Sequence, residues 1–537
     1  MKYVQLFFIF LVTAITLRAQ TIPYLQRQGT ATQLIVEGKP FLMRGGELGN
    51  SSASSLAYME PIWPKLEAMH LNTVLAPVYW DLIEPEEGKF DFSLVDGLLK
   101  DARAHDMKLV LLWFGTWKNS MSCYAPLWVK RDLKRFPRAK SAEGVSQEIL
   151  TPFDDRNRDA DVRAFQQLMR HLKEQDGQDH TVVMVQVENE IGMLPSARDH
   201  CAAATKAYRQ PVPAELMRYL TQHKKELIPE LQQHWQANGG KTSGTWEEVF
   251  GKSLATDELF MAWHYARYVE AVTAAGKAEY PLPMYLNAAL PREGKQPGEY
   301  PSAGPLPHLL DVWRAGTPSI DFLSPDFYNP RFQYWNDLYT RSGNPLFIPE
   351  IRFETGDEAK AFYAVGHYDA LGFSPFSIES TDHPAEEPLG KSYDVLDQLA
   401  PQILAKQGSD QLDGVLLDKD ALEQQITMGG YVFTVKHDFT LGWSPGAQEE
   451  QWPLAGGLIL QTGPDDFIVA GTGLVVTFAP VKGNDLIGIG RIDEGEYIDG
   501  KWTPGRNLNG DQSHQGRHLR IPVGDFGIQH LTLYRYR

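Results

Sequence analysis

The chain has 537 residues, which is too long for one compact core and predicts two or three domains. Its 43% hydrophobic and 22% charged residues are ordinary for a globular protein. The formal net charge of −17, with no basic stripe along the chain, argues against nucleic-acid binding.

The N-terminus has the pattern of a signal peptide. Lys2 provides a positive charge, residues 4–17 form an apolar run, and Ala19 precedes a cleavage site before Gln20. The run is short for a membrane span, and no later apolar run in the sequence is long enough. We therefore expect residues 1–19 to be a signal peptide, the protein to be periplasmic or secreted, and no stable membrane insertion.

From residue 41 to about residue 380, short apolar runs alternate with amphipathic stretches, as in a parallel sheet with helices between its strands. The predicted strands are residues 41–45, 73–78, 108–114, 182–187, 283–287, 321–324, 346–350 and 374–378. The helical patterns include residues 55–70, 94–105, 161–175 and 258–275. Eight strands with intervening helices predict an α/β fold, a (β/α)8 TIM barrel over residues 20–400.

Two long segments interrupt this alternation, residues 117–158 after the third strand and residues 192–253 after the fourth. The second has a polar helical pattern over residues 214–237. Both follow the carboxyl end of a strand, so both are expected on the face of the barrel where ligand-binding loops gather. Cys123 and Cys201 fall in these segments, and the sequence leaves open whether they form a disulfide or remain free thiols.

Beyond about residue 405 the pattern changes to short strands separated by glycine-rich turns. The predicted strands are residues 431–435, 457–461, 466–470, 474–478, 486–489 and 529–536. This predicts an all-β, sandwich-like domain over residues 401–537.

Two of the predicted barrel strands end in glutamates that packing does not explain. The fourth strand is followed by Asn189 and Glu190, and the seventh ends at Glu350. Burial of a carboxylate costs free energy unless the group is paired, so structural ion pairing is the alternative. Active sites of TIM barrels lie at the carboxyl ends of the strands. A retaining glycoside hydrolase needs two carboxyls there, one to protonate the leaving oxygen and one to attack the anomeric carbon.

The sequence around these positions resembles glycoside hydrolase family 35, the β-galactosidases. The resemblance covers most of residues 40–380 and is carried by residues 71–74 (LNTV), 79–85 (YWDLIEP), 88–92 (GKFDF) and 186–190 (QVENE). It implies that Glu190 is the acid/base, that Glu350 is the nucleophile and that Asn189 hydrogen-bonds the sugar 2-hydroxyl. Ile191 and Ile83 depart from the Tyr and His that are usual in that family. The chain is therefore similar to a divergent bacterial branch, some of whose members remove galactose from plant polysaccharide side chains such as xyloglucan.

Further candidates for contact with the sugar lie at predicted strand ends. Tyr328 follows the sixth strand, where the wider clan places a tyrosine that hydrogen-bonds the nucleophile; a plain buried tyrosine is the alternative. Glu84 accepts hydrogen bonds from sugar hydroxyl groups in one interpretation and caps a helix in another. The remaining candidates are Tyr79, Glu47, Trp117, Lys118, Asn119, Asn287 and Glu379, and we expect Trp117, Lys118 and Asn119 to face solvent beyond the third strand.

The pattern and the resemblance together predict a retaining exo-β-galactosidase that releases terminal β-galactose from plant-type oligosaccharides or polysaccharide side chains. Scattered histidines, without HxH or HExxH spacing, predict no metal site, and the reaction needs no cofactor. The expected partner is a carbohydrate substrate, and the C-terminal domain is expected to support the barrel rather than to bind glycan. Alternatives are a β-glucosidase, β-glucanase or arabinosidase of the same clan, or a non-catalytic glycan-binding protein. The sequence does not determine the oligomeric state.

Overall fold

The computed structural model of the protein describes residues 21–537. The predicted signal peptide, residues 1–19, lies outside the described residues. In the described part of the chain, no helix is both long and apolar enough to cross a membrane.

A small antiparallel sheet precedes the barrel and was not predicted. Its strands are β1 (Tyr24–Gln28), β2 (Ala31–Val36) and β3 (Lys39–Phe41). Gln33 Nε2 donates hydrogen bonds to the Leu404 carbonyl at 2.7 Å and to Gln407 Oε1 at 3.1 Å. The sheet is thereby attached to the segment that links the barrel to the C-terminal strands.

The barrel is closed and entirely parallel, in the order β4-β5-β6-β9-β10-β11-β12-β13. Strands β7 and β8 form a separate two-stranded sheet. The strands are β4 (Met43–Glu47), β5 (Thr73–Tyr79), β6 (Lys108–Lys118), β7 (Arg138–Lys140), β8 (Ser146–Leu150), β9 (Val182–Asn189), β10 (Met284–Ala289), β11 (Phe322–Phe327), β12 (Ile348–Arg352) and β13 (Gly372–Phe376). Each of the eight predicted strands is therefore present in the barrel, which confirms the predicted fold.

Helices connect the strands and fill the two insertions. They are α1 (Leu56–Met59), α2 (Trp63–Ala68), α3 (Trp80–Ile83), α4 (Ser93–Ala104), α5 (Leu127–Arg131), α6 (Asp155–Asp176), α7 (Ala202–Tyr208), α8 (Ala214–Gln222), α9 (Pro229–Ala237), α10 (Trp246–Phe250), α11 (Leu254–Glu279), α12 (Leu310–Gly316), α13 (Phe332–Tyr339), α14 (Asp357–His367) and α15 (Pro388–Lys406). The helix predicted over residues 55–70 is divided into α1 and α2, and the helical pattern over residues 214–237 is divided into α8 and α9. Proline has no backbone N–H to donate, and Pro61 and Pro229 lie where these breaks occur.

The two insertions contact each other through Asp199. Its carboxylate accepts hydrogen bonds from the Lys140 backbone N–H at 2.9 Å and from Thr151 Oγ1 at 2.5 Å. The long segments after the third and fourth barrel strands are thus fixed to one another. Within residues 21–537, Cys123 and Cys201 are free thiols, the first exposed and the second buried.

The C-terminal part forms two antiparallel sheets, which confirms the predicted all-β architecture. The six-stranded sheet has the order β14-β17-β18-β23-β20-β21 and the four-stranded sheet β15-β16-β19-β22. The strands are β14 (Leu412–Leu417), β15 (Glu423–Met428), β16 (Tyr431–His437), β17 (Ala455–Gln461), β18 (Asp466–Thr472), β19 (Leu474–Pro480), β20 (Leu486–Ile498), β21 (Lys501–Asn507), β22 (Leu519–Ile521) and β23 (Gly527–Tyr536). Phe433 of one sheet packs edge-on against Phe467 of the other, with ring centroids 4.8 Å apart, so the sheets enclose a core of their own.

Helix α14 joins the barrel to the six-stranded sheet at very short range. A Cβ atom built on Gly366 of α14 would lie 2.9 Å from the Cα atom of Gly414 in β14. A Cβ atom built on Gly456 of β17 would lie 2.5 Å from the Ala359 carbonyl oxygen. Because neither position has room for a side chain, the helix lies directly on the sheet.

Candidate active site

Glu190 and Glu350 lie side by side at the carboxyl end of the barrel. Glu190 directly follows β9 and Glu350 lies within β12, and their side chains are 5% and 4% exposed. Carboxylate oxygens of the two residues approach within 4.8 Å. This fits the spacing of about 5–5.5 Å between the carboxyls of a retaining glycosidase rather than the roughly 6.5–9.5 Å of an inverting one.

The backbone and side chain of Glu190 are held by strand β10 and by the loop that follows β6. Its backbone N–H donates to Asn287 Oδ1 at 3.0 Å, and its carbonyl accepts from the Ser120 N–H at 3.0 Å. Asn119 Nδ2 donates to Glu190 Oε2. These contacts hold a residue whose φ of 44° lies in the left-handed region, a conformation that costs about 1–3 kcal/mol. The carboxylate is therefore fixed in direction.

Burial and the negative charge of Glu350 raise the pKa of Glu190 to about 7, against the opposing effect of the Lys118 ammonium group. Glu190 therefore carries a proton over most of the acidic to neutral range, as a general acid requires.

Glu350 is arranged differently. The Tyr328 hydroxyl donates to Glu350 Oε1 at 2.5 Å. Burial and the Glu350 charge raise the pKa of Tyr328 far above its ordinary value, so this hydroxyl keeps its proton. Glu350 Oε2 has no hydrogen-bond partner among the described residues. One oxygen is thus oriented and the other is open to react.

Three predicted sugar contacts offer buried polar atoms next to this pair. Asn189 is 1% exposed and both of its amide atoms lack a hydrogen-bond partner in the described chain, as do Glu47 Oε1 and Glu379 Oε2. Buried polar atoms are normally paired, so these are the groups expected to bind a hydroxylated ligand. Glu379 is held by hydrogen bonds from the Gly49 N–H and the Ser52 hydroxyl to its other oxygen.

Lys118 lies at the end of β6 and is 4% exposed, so the prediction that it faces solvent is wrong. Burial and the charges of Glu350 and Glu190 raise the pKa of Glu47 well above its ordinary value. The positive charge of Lys118 opposes this rise for Glu47, as it does for Glu190. Lys118 therefore limits the repulsion between the site's carboxylates.

Trp117 does not form the predicted solvent-facing platform. It is 0% exposed, and its ring packs against Tyr265 and Tyr268 of α11 at centroid distances of 5.1 and 4.5 Å. Strand β6 continues to residue 118, beyond the predicted end at residue 114, and its pairing with β9 is irregular between Trp113 and Lys118, where the neighbouring Thr116 and Trp117 both contact Tyr268. Trp117 consequently points to the helix layer, whereas Asn119, beyond the strand, is exposed as predicted.

Glu84 and Tyr79 support the wall of the barrel. Glu84 accepts hydrogen bonds from Trp80 Nε1 and from the Gly88 N–H, both at 2.8 Å, so both oxygens are used within its own loop. The ring of Tyr79 is 3% exposed and packs against Phe114 and Tyr124, while its hydroxyl has no hydrogen-bond partner among the described residues. Glu84 is therefore used within its own loop, whereas the Tyr79 hydroxyl stays a predicted sugar contact.

The structure adds a third carboxylate that the sequence analysis missed. Asp326 of β11 is 0% exposed and lies opposite Glu350 in the strand register. One carboxylate oxygen from each of Glu190, Asp326 and Glu350 lies within 4.8 Å of the others. The sixth strand was predicted to end at residue 324, which left Asp326 in a loop; the sign available in the sequence was an acid two residues before Tyr328.

Family models match two segments of the chain. Residues 58–269 match the model of glycoside hydrolase family 42, described as β-galactosidase, and residues 389–520 match a domain of unknown function, DUF5597. The barrel segment matches family 42, not family 35. The family 35 prediction is therefore wrong, because a glutamate pair at these strand ends is a requirement of the shared chemistry and does not distinguish families within the clan. Glu190 lies inside the matched segment and Glu350 outside it.

Individual relatives are distant. A β-galactosidase of Xanthomonas manihotis is 29% identical over 184 residues, which cover 32% of this chain and 27% of that protein. Structures of a family 42 β-galactosidase from G. stearothermophilus and of a β-galactosidase from Bacillus circulans sp. alkalophilus are each 15% identical. Each aligns with a TM-score of 0.47 over 68% of this chain and 57% of the other. The chain thus spans little more than a quarter of that curated relative and less than three fifths of these solved proteins.

Proposed function

We propose that the protein is a retaining exo-β-galactosidase. The observation that carries the proposal is the electrostatic difference between two carboxyls whose oxygens lie within 4.8 Å: the pKa of Glu190 is about 7, whereas Glu350 accepts a short hydrogen bond from Tyr328 and has a free oxygen. An acid and a nucleophile made from chemically identical groups need such a difference.

The reaction proceeds in two displacements. Glu350 Oε2 attacks the anomeric carbon while Glu190 transfers its proton to the departing oxygen, which gives a glycosyl ester on Glu350 and a free alcohol. Glu190, now ionised, removes a proton from water, and the resulting hydroxide attacks the anomeric carbon and releases Glu350. Two inversions leave the sugar with its original configuration.

The depth of the site supports cleavage at a chain end. The reacting carboxyls are 4–5% exposed, whereas Tyr328 is 44% exposed. A terminal sugar reaches such a recessed pair more readily than the middle of a polymer does. The match to the family 42 model and the β-galactosidase relatives support galactose as that sugar. We place terminal β-galactose on plant-type oligosaccharides or polysaccharide side chains within this proposal.

Export is part of the proposal, on the signal-peptide pattern of residues 1–19. Cell fractionation with N-terminal sequencing of the mature protein tests it. A cytoplasmic protein that still begins at Met1 overturns it.

The function is tested with a panel of p-nitrophenyl glycosides and galactosylated plant oligosaccharides. We expect the β-galactoside to be preferred, the β-anomer to be the first product by NMR, and Glu190→Ala and Glu350→Ala to lose activity. Azide should restore turnover to Glu350→Ala as α-galactosyl azide. Glu354→Gln, which changes an exposed carboxylate four residues away, is the matched control. If another glycoside is preferred, the proposed substrate is wrong. If no glycoside is cleaved, the result favours a glycan-binding protein.

A further inference from the structure

Asp326 belongs to a cluster of buried acids at the bottom of the site. Its Oδ2 accepts a 2.6 Å hydrogen bond from Asn287 Nδ2, and its Oδ1 accepts no hydrogen bond within residues 21–537. The other amide atom of Asn287, Oδ1, accepts from the Glu190 N–H. Asn287 therefore bridges Asp326 on β11 to Glu190 after β9.

The surroundings of Asp326 disfavour a negative charge. Burial and the charges of Glu350, Glu190 and Glu47 raise the pKa of Asp326 well above its ordinary value, and the Lys118 ammonium group opposes them weakly. Like charges this close in a buried site cannot all remain ionised. The titratable groups that interact electrostatically with Asp326 are Glu350, Glu190, Glu47, Lys118, Tyr285, Tyr328 and Tyr339.

We propose that Asp326 is a positioning residue that stays protonated through the catalytic cycle and, together with Asn287, holds Glu190 in place beside Glu350. This inference rests on the proposed function. Oδ1, the oxygen of Asp326 that accepts no hydrogen bond, carries the proton and is the donor to the Glu190 carboxyl. That hydrogen bond lowers the pKa of Glu190 and so stabilises the ionised Glu190 that forms after the first displacement. No bond to the substrate is made or broken at Asp326, and its proton stays on Asp326.

Isosteric replacement distinguishes a protonated from an ionised Asp326. Asparagine keeps a donor, an acceptor and zero charge. We therefore expect Asp326→Asn to retain kcat within about threefold and to leave the basic limb of the kcat/KM profile near its wild-type position. If Asp326 is ionised, the same change removes a negative charge and moves the basic limb to lower pH by about one unit or more, which overturns the proposal.

Infrared difference spectroscopy tests the protonation state without reference to turnover. The wild-type minus Asp326→Asn spectrum at neutral pH should contain the carbonyl stretch of a carboxylic acid. A carboxylate stretch in its place contradicts the proposal. Since this measurement needs no substrate, it decides the protonation state of Asp326 even if no glycoside is cleaved, and the two failures remain distinguishable.

The bridging role is tested by Asp326→Ala, Asn287→Ala and the double variant. Each single variant should lower kcat on the order of 100-fold with little change in KM, and the double variant should be no worse than either. Asp326→Asn should restore the kcat that is lost in Asp326→Ala. Circular dichroism confirms that each variant is folded. Additive losses, or a loss confined to KM, show that the two side chains do not act through one another.

Discussion

The Tyr328 hydroxyl lies 2.5 Å from Glu350 Oε1 and donates a hydrogen bond to it, while Glu350 Oε2 lacks a hydrogen-bond partner in the described part of the chain. The tyrosine follows β11 and the glutamate lies in the adjacent strand β12, so the contact is set by the barrel register. A hydrogen bond to one oxygen turns the carboxylate so that the other faces the ligand. Tyr328 therefore sets the orientation of the Glu350 carboxylate.

Removal of this donor should slow the reaction without weakening binding. Tyr328→Phe is expected to lower kcat on the order of 100-fold, in the range seen when one positioned donor is lost, with KM changed less than about threefold. Steady-state kinetics on a β-galactoside measures both constants. Tyr334→Phe, an exposed tyrosine on α13, should match the wild type. A Tyr328→Phe enzyme with wild-type kcat shows that the hydrogen bond has no role in catalysis.

The pH profile should follow the protonation of Glu190. Since the acid must carry its proton, kcat/KM is expected to fall as the pH rises through about 7, the pKa of Glu190. The Lys118 charge lowers that pKa, so Lys118→Met should move the basic limb to higher pH while reducing the rate. Lys134→Met, at a lysine in the exposed segment after α5, is the control. A limb that moves to lower pH in Lys118→Met contradicts the assigned electrostatics.

Asn189 should act through the sugar 2-hydroxyl. We expect Asn189→Ala to reduce kcat/KM on a β-galactoside by a factor on the order of 100, because hydrogen bonds to the 2-hydroxyl strengthen in the transition state. On the 2-deoxy substrate, the same substitution should have little effect. Comparison of the two substrates with the two enzymes isolates the interaction. Equal losses on both substrates assign Asn189 to a different contact.

The close approach of α14 to the C-terminal sheet should make Gly366 sensitive to substitution. Gly366→Val places side-chain atoms against Gly414 and Leu458, and overpacking of this kind costs about 1–3 kcal/mol. Urea denaturation should show the loss in the free energy of unfolding. Ala237→Val, at an exposed position of α9, is the matched helical control and should cost no more than about 0.5 kcal/mol. Equal stability of the two variants shows that α14 does not rest on the sheet.

The sequence by itself determined the barrel, the β-rich C-terminal part and the placement of Glu190 and Glu350. Buried parallel strands are continuous apolar runs, and a carboxyl group that follows such a run is visible without knowledge of its neighbours. The pattern failed for strands such as β15 and β21, which consist largely of exposed polar residues. Pairing with neighbouring strands defines those two, and their composition does not.

Only the tertiary structure decided which side chains meet. Trp117 turns toward α11 because β6 continues past its predicted end with an irregular pairing against β9, and Glu84 is occupied by Trp80 and Gly88. Asp326 joins the site because the register of β11 and β12 sets it opposite Glu350. The direction of a side chain and the charge it tolerates depend on groups that are distant in the sequence, and packing of the folded chain is what brings those groups together.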